Sequence, residues 1–378
     1  MKTFSGKPQM LKEVNSSMIE QLIFENGPLS KPELAKLTGL SLPTINKLVD
    51  DLEKHDQLCS VGQTGKGAGR KAVLYETNRN SGCLLVCYYK EESFLCRLTD
   101  MLNETLYEKN FALDSSNLKN ANNSIINAID TLIIQAPSKV KIIGIGLPGV
   151  VQPSGCLLAI PQIAVWEGLN LERILHNRYK TTIYVENNAK LSAVGYYFTH
   201  LRKKQDNLVY MYVGNGIGSG IILNKQLHRG SGNFSGEIGF ITEPFVSREL
   251  DYIASGGYME SLMFPLVDYS TGELRKIDLQ KQENLIAILC SIAVNHVVIV
   301  NPGTIVFAGK IFNKNLIETI RRQMMHYLPA QAMPRITRDL STTTGLEGLI
   351  RSCREYITTR VHLVQSTGLP HRTDKIAV

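Results

Sequence analysis

The chain has 378 residues, 43% of them hydrophobic and 20% charged, with a formal net charge of +7 at neutral pH. That balance belongs to a globular protein with a large core, and the length divides it into two or three domains. Composition excludes a bundle of membrane spans, because the longest apolar candidate, 286–300, is interrupted by Ser291, Asn295 and His296.

The first ten residues, MKTFSGKPQM, lack the apolar core of a signal peptide, so the cytoplasm is the expected compartment. The seven cysteines show no secreted-framework spacing and read as reduced and mostly buried. The positive charge permits an anionic partner.

Leu11, Val14, Met18, Leu22 and Ile23 recur at helical spacing, and Asn26-Gly27-Pro28 ends that helix. Ser30-Lys31-Pro32-Glu33 reads as a capping box that opens a short second helix, stopped at Thr38-Gly39. Ser41 is a second N-cap with Pro43 in the first turn, and Ile45, Leu48, Val49 and Leu52 form one apolar stripe. Two short capped helices joined at a glycine turn read as helix-turn-helix. Strand-like stretches at 58–61 and 72–75, around the loop GQTGKGAGRK, complete a two-stranded wing.

A protein-docking module is the rival for such a unit. DNA is favoured because a recognition helix reads base edges from its N-terminal residues, which here are Ser41, Pro43, Thr44, Asn46 and Lys47. Lys66, Arg70 and Lys71 of the wing loop suit phosphate or minor-groove contact, with a solvated turn as the alternative.

From Gly82 the chain changes character. Strands are expected at 83–89, 94–100 and 105–111, a helix at 123–134 and a buried strand at 141–147, an alternation that argues for an α/β fold. The stretch 208–240 then carries an apolar run that breaks into Gly214, Gly216, Gly218 and Gly220, with strand character resuming at 221–223. Glycine at every second position lets the backbone approach a ligand closely. A second set, Gly230, Gly232, Gly236 and Gly239, delivers Glu237 into a loop.

This pattern resembles the ROK family (repressors, open reading frames and sugar kinases), whose glycine signatures read roughly GTGIGGG and GEIGH. They stand here as Gly214-Asn-Gly-Ile-Gly-Ser-Gly220 and Gly236-Glu-Ile-Gly-Phe240, with Phe240 in place of the final His. The resemblance continues through Gly144-Ile-Gly-Leu-Pro-Gly149, Pro161-Gln-Ile-Ala-Val-Trp166, Val185-Glu-Asn-Asn-Ala189 and Asn301-Pro302. It implies an actin-like, two-lobed sugar kinase fold behind the winged helix-turn-helix. The expected divisions are 1–80 for the DNA-binding domain, 81–200 plus a C-terminal helix of about 355–378 for the first lobe, and 201–354 for the second.

The departures from the family decide the expected function. The kinases of the family place an Asp base in an Asn-Asp-Ala-Asn motif; here the motif is Asn187-Asn188-Ala189-Lys190, and a carboxamide cannot act as a general base. The first phosphate loop, Asp-x-Gly-x-Thr, is replaced by 86–92, which contains no glycine. The family's zinc segment corresponds to Ser255-Gly-Gly-Tyr-Met-Glu260, which offers no soft or imidazole ligand. No catalytic residue, metal or cofactor is therefore expected.

Carried over from the family, the effector contacts are Gln162, Asn187, Asn188, Glu237, Phe240 and Glu260. They form either a pocket for a sugar or sugar phosphate or a relic of folding. The resulting expectation is a repressor of carbohydrate-use genes, partnered by double-stranded operator DNA, acting as a homodimer or tetramer without a membrane. A sugar kinase with an appended helical module is the alternative, and a scaffold binding neither DNA nor ligand is a third reading.

Overall fold

The computed structural model describes residues 8–63, 71–201, 207–241, 263, 266–268, 271–276 and 279–358. Contacts divide the chain into two units. One comprises Met1–Gly82, Asp100–Glu104 and Arg354–Val378; the other comprises Cys83–Thr99 and Thr105–Cys353.

The smaller unit opens with α1 (Pro8–Asn26), then β1 (Leu29–Ser30), α2 (Lys31–Thr38) and α3 (Leu42–Lys54). The Ser30 side chain caps the Glu33 amide, and the Glu33 carboxylate returns to the Ser30 backbone at 2.8 Å, a reciprocal capping box. Gly39 closes α2 in the left-handed conformation, at φ 71°. Ser41 caps α3. The wing strands are β2 (Leu58–Gln63) and β3 (Val73–Thr77), and β1 joins them in the order β1-β3-β2. Ile19, Ile23, Leu34, Ile45, Val49, Leu52 and Leu58 form the core of the unit.

Arg354 also belongs to this unit and is buried. Its guanidinium lies 3.4 Å from the centre of the Phe24 ring, and it donates to Thr77 Oγ1 at 3.2 Å and to the Met101 carbonyl. These contacts satisfy a charge that would otherwise be costly to bury.

The larger unit is built on two five-stranded sheets. The first has the order β10-β7-β4-β5-β6, from β4 (Cys83–Lys90), β5 (Ser93–Asp100), β6 (Thr105–Ala112), β7 (Val140–Leu147) and β10 (Thr182–Asn187). The short pair β8 (Val150–Val151) and β9 (Leu157–Leu158) follows β7. Strands β4, β7 and β10 run parallel, and α4 (Leu118–Ile134) and α5 (Leu171–Tyr179) cover the sheet. Parallel strands under helices must be apolar on both faces, and in β7 every residue from Ile142 to Leu147 is buried.

The second sheet has the order β13-β12-β11-β16-β17. It is made of β11 (Leu208–Gly214), β12 (Gly216–Leu223), β13 (Gln226–Leu227), β16 (Thr304–Ala308) and β17 (Arg335–Asp339). A small hairpin, β14 (Val267–Asp268) with β15 (Glu273–Leu274), precedes α7 (Leu279–Val300) and α8 (Lys314–Met324). α7, which contains the interrupted apolar stretch 286–300, is long and apolar enough to cross a membrane. Its Leu285, Leu289, Ile292, Ala293 and Val297 are buried in the core of the second sheet.

Between the sheets lies α6 (Asn188–Tyr196), buried from Ala189 to Tyr196. The last described helix is α9 (Thr344–Thr358), and of the helix expected at about 355–378 the residues beyond 358 lie outside the described range. α6 and α9 meet main chain to main chain. A Cβ on Gly195 would stand 2.0 Å from the Thr344 carbonyl oxygen, and one on Gly348 would stand 1.9 Å from that of Leu191.

The glycine run departs from expectation. β12 begins at Gly216, so the run lies within a hairpin rather than breaking the sheet. A Cβ on Gly220 would lie 2.4 Å from Ala193 Cβ and 2.6 Å from the Ala189 carbonyl oxygen. Gly220 therefore serves the close packing of α6 on the strand. A Cβ on Gly218 would lie 3.3 Å from Ala189 Cβ, and Gly218 also lines the cleft.

Candidate functional site

The N-terminal half of α3 turns its apolar stripe inward and its polar residues out. Ile45, Leu48 and Val49 are buried; Ser41, Pro43, Asn46 and Lys47 are exposed, and Thr44 is half-buried. Ser41 Oγ and Thr44 Oγ1 stand 2.8 Å apart, so the capping hydroxyls are engaged with each other. Lys31 bonds Asp50 of α3 at 2.5 Å and sits 5.1 Å over the Tyr75 ring, tying α2, α3 and the wing strand together. Lys71 is exposed two residues before the second wing strand; Lys66 and Arg70 lie outside the described residues.

In the larger unit, a cavity of about 330 Å³ is lined by Gln162, Asn187, Asn188, Glu237 and Phe240. Glu260, the sixth expected contact, lies outside the described residues. Asn187 caps α6, accepting from Lys190 N at 3.0 Å, and donates to the Gly149 carbonyl at 2.7 Å. Asn188 donates to the Tyr89 carbonyl at 2.9 Å, and Gln162 to the Asn215 carbonyl at 3.0 Å. The Oδ1 of Asn188 and the Oε1 of Gln162 are buried and have no hydrogen-bond partner among the described residues.

Lys190 was not among the expected contacts. It is fully buried, and its ammonium bonds the Asn233 carbonyl at 2.5 Å and Glu237 Oε1 at 3.2 Å. Burial pushes the Glu237 carboxyl above its ordinary range, and Lys190 opposes that shift. A second pair lies beside it, in which Arg229 donates to buried Glu186 at 2.8 Å and to the Tyr184 hydroxyl at 3.2 Å. Asn233 donates to the Val151 carbonyl at 2.8 Å. Together these bonds fasten the loop that carries Glu237 and Phe240. The Phe240 ring is supported by Phe234, with centroids 5.0 Å apart.

The opposite end of the cavity carries aromatic and acidic side chains. Tyr210 donates to Asp339 at 2.8 Å and Tyr212 to Asn215 Oδ1 at 2.7 Å. Burial raises the Tyr212 hydroxyl to about 12. The turn between β4 and β5 holds Glu91 and Glu92 in the left-handed region, at φ 47° and 58°. Two-residue hairpins require that geometry and glycine usually supplies it, so carboxylates stand where small residues would leave room. Lys310 donates to the Thr271 carbonyl at 2.8 Å and lies 3.6 Å from Glu91.

Residues 92–249 match the model of the ROK family, and residues 19–56 match a winged helix-turn-helix DNA-binding model. The chain carries a ROK family domain behind a winged helix-turn-helix. Over 245 residues it is 29% identical to a putative xylose repressor of Caldicellulosiruptor sp. (strain Rt8B.4), covering 64% of this chain and 61% of that protein. It is 29% identical to the xylose repressor of Bacillus subtilis (strain 168) over 238 residues, 62% of each chain. It is 27% identical to the DNA-binding transcriptional dual regulator NagC of Escherichia coli (strain K12) over 249 residues, 64% of this chain and 61% of that one. The matches thus span a little over three-fifths of these relatives' length.

A ROK family transcriptional regulator, described as a homologue of the E. coli MLC protein, superposes with a TM-score of 0.72 at 18% identity, over 92% of this chain and 99% of that one. The ROK hexokinase of Thermus thermophilus superposes with a TM-score of 0.58 at 17% identity, over 73% and 99%. These likenesses establish the actin-like sugar kinase fold of the ROK domain.

Proposed function

We propose that the chain is a transcriptional regulator, a repressor of carbohydrate-use genes, whose ROK domain senses a small sugar-like effector. One observation carries this reading. An exposed reading face on α3 occurs in the same chain as a cleft whose base position is an amide, Asn188, with its N–H held by the Tyr89 carbonyl. A carboxamide in that setting takes no proton from a sugar hydroxyl, and the β4–β5 turn carries Glu91 and Glu92 instead of a phosphate loop. The cleft therefore binds rather than phosphorylates. The xylose and N-acetylglucosamine repressors among the relatives support carbohydrate as the class of signal.

The regulator acts in the cytoplasm as a dimer, since paired helix-turn-helix units read two half-sites about one helical turn apart. Selection of bound genomic fragments, followed by gel shift on the enriched sites, tests the reading. Sites upstream of sugar-use genes are expected, with release of DNA by a member of a panel of pentoses, hexoses, N-acetylated hexosamines and their phosphates. No specific site, or sugar-dependent ADP release above a no-enzyme control, would overturn it.

A further inference from the structure

The exposed face of α3 carries an acid in line with its DNA-reading residues. Leu42, Asn46, Asp50 and Lys54 follow one another at four-residue spacing, all exposed, opposite the buried stripe of Ile45, Leu48, Val49 and Leu52. Asp50 is the one carboxylate among the exposed residues of the helix, and it stands a single turn, about 6 Å, beyond Asn46. Duplex DNA carries a negative charge about every 1.7 Å along its axis. A duplex that offers base edges to Asn46 therefore brings phosphates toward Asp50, and a bare carboxylate there repels them.

A counter-charge arrives from another helix. Lys31, the first residue of α2, donates to Asp50 Oδ1 at 2.5 Å. The lysine side chain is 21% exposed, against 63% for Asp50, so the ammonium lies beneath the acid rather than out in solvent. On its other side it sits 5.1 Å over the Tyr75 ring of β3. Burial opposes the charge on Lys31, but Asp50 and Tyr75 outweigh it and hold the ammonium above its ordinary pKa. Fixed between an acid and a ring, this cation is poorly placed to swing out to a phosphate, a task left to exposed Lys47 and Lys54. The neighbouring Asp51 is half-buried, off the exposed row, and bonded at 2.8 Å by Lys12 of α1.

Two other roles for the pair fit less well. As a tie between helices it would contribute little, because ion pairs with one exposed partner are weak. As an acceptor for a cytosine amino group Asp50 stands in the third turn of α3, whereas base reading falls to the first residues of a recognition helix.

We propose that Lys31 is a positioning residue for DNA binding: it masks Asp50, so that α3 meets the phosphates without a bare negative charge, and it acts through Asp50 rather than by touching DNA. This rests on the reading of the winged unit as an operator-binding module and assigns the residues that set the charge of its contact face.

The test uses the full chain and a duplex enriched from a random pool, with affinity measured by fluorescence anisotropy between about 50 and 200 mM salt. Lys31→Met should weaken binding about fivefold at the low-salt end, the worth of one charge beside one phosphate in water, and make the salt slope shallower by about one unit. Asp50→Asn breaks the same bond from the other side, yet should bind about fivefold more tightly than the parent. Lys31→Met combined with Asp50→Asn should return to within about twofold of the parent. Asp50→Asn that binds no more tightly than the parent marks a tie or a base reader and overturns the proposal. A double variant as weak as Lys31→Met shows that the lysine itself holds a phosphate, and a Lys31→Met slope equal to the parent's shows a purely structural role; either result overturns it too. If a duplex is enriched and all four proteins bind it alike, the proposal fails and the operator reading stands; if no duplex is enriched, the operator reading fails and the proposal with it. Should Lys31→Met not fold, the sign of the Asp50→Asn effect still decides.

Discussion

Removal of the Lys190 ammonium tests how the candidate pocket is held together. Lys190 is fully exposed to nothing but protein, and its partners are the Asn233 carbonyl and a Glu237 side chain that is only 11% exposed. Lys190→Met keeps the aliphatic length and deletes the charge. Glu237 is then left beside Glu186, which already disfavours its ionised form. Breaking a buried pair from one side costs about 3–5 kcal/mol, because the remaining charge stays desolvated. With a urea dependence of about 3 kcal/mol per molar, a loss of about 4 kcal/mol moves the midpoint down by roughly 1.3 M. The assay is built into the chain: its single tryptophan, Trp166, is buried in the core of the larger unit, so its fluorescence follows that unit alone. Lys190→Met with Glu237→Gln should recover most of the loss, because no uncompensated charge remains. If Lys190→Met shifts the midpoint by less than about 0.3 M, or the double variant is no better than the single one, the pair is not the clamp described above.

Gly220→Ala should destabilise the larger unit by about 1–3 kcal/mol through overpacking against Ala193 and the Ala189 carbonyl, whereas Gly232→Ala, with open space around its Cβ, should be near neutral. Both are read from urea unfolding followed at Trp166. Asn46→Ala should alter preference at one base pair by about 1–3 kcal/mol, while Lys71→Ala should weaken all sequences alike and lower the salt slope by about one unit, as measured by fluorescence anisotropy across DNA variants. Burial holds His296 below its ordinary value of 6.5. Below that pH the unfolded chain takes up a proton that the fold refuses, so its contribution is fully present above 6.5 and is lost as pH falls through the folded value. His296→Gln should flatten this part of the stability profile, and equal slopes for the two proteins would count against it.

The parts of the fold that were legible in the sequence are those written locally. Ser30 with Glu33, and Ser41 three residues before Thr44, carry their own capping chemistry, and the helices start where those residues stand. The meander and the buried β7 strand follow from apolar runs bounded by turns. What escaped was written at long range. Lys190 reads as an odd residue in an amide motif until Glu237, 47 positions later, is seen to face it. Arg354 meets Thr77 across 277 positions, with nothing in its own neighbourhood to announce burial. The glycines misled for a related reason. A missing side chain looks the same whether it admits a ligand or a helix, and only Ala189 and Ala193 of α6, themselves small and one turn apart, decide for Gly220.

The crossing of α6 and α9 has a mechanical consequence. Helices usually lock by setting ridges of side chains into grooves, which fixes both their angle and their offset. At Gly195 and Gly348 neither helix has a ridge to offer, and the contact is between smooth stretches of main chain. Such a joint resists separation but offers little friction to sliding. α6 starts at Asn188 and α9 starts with Thr344 and Gly345, and all three residues line the cavity. A ligand that pushes on either helix end therefore acts on a bearing, where a leucine-packed pair would have presented a gear.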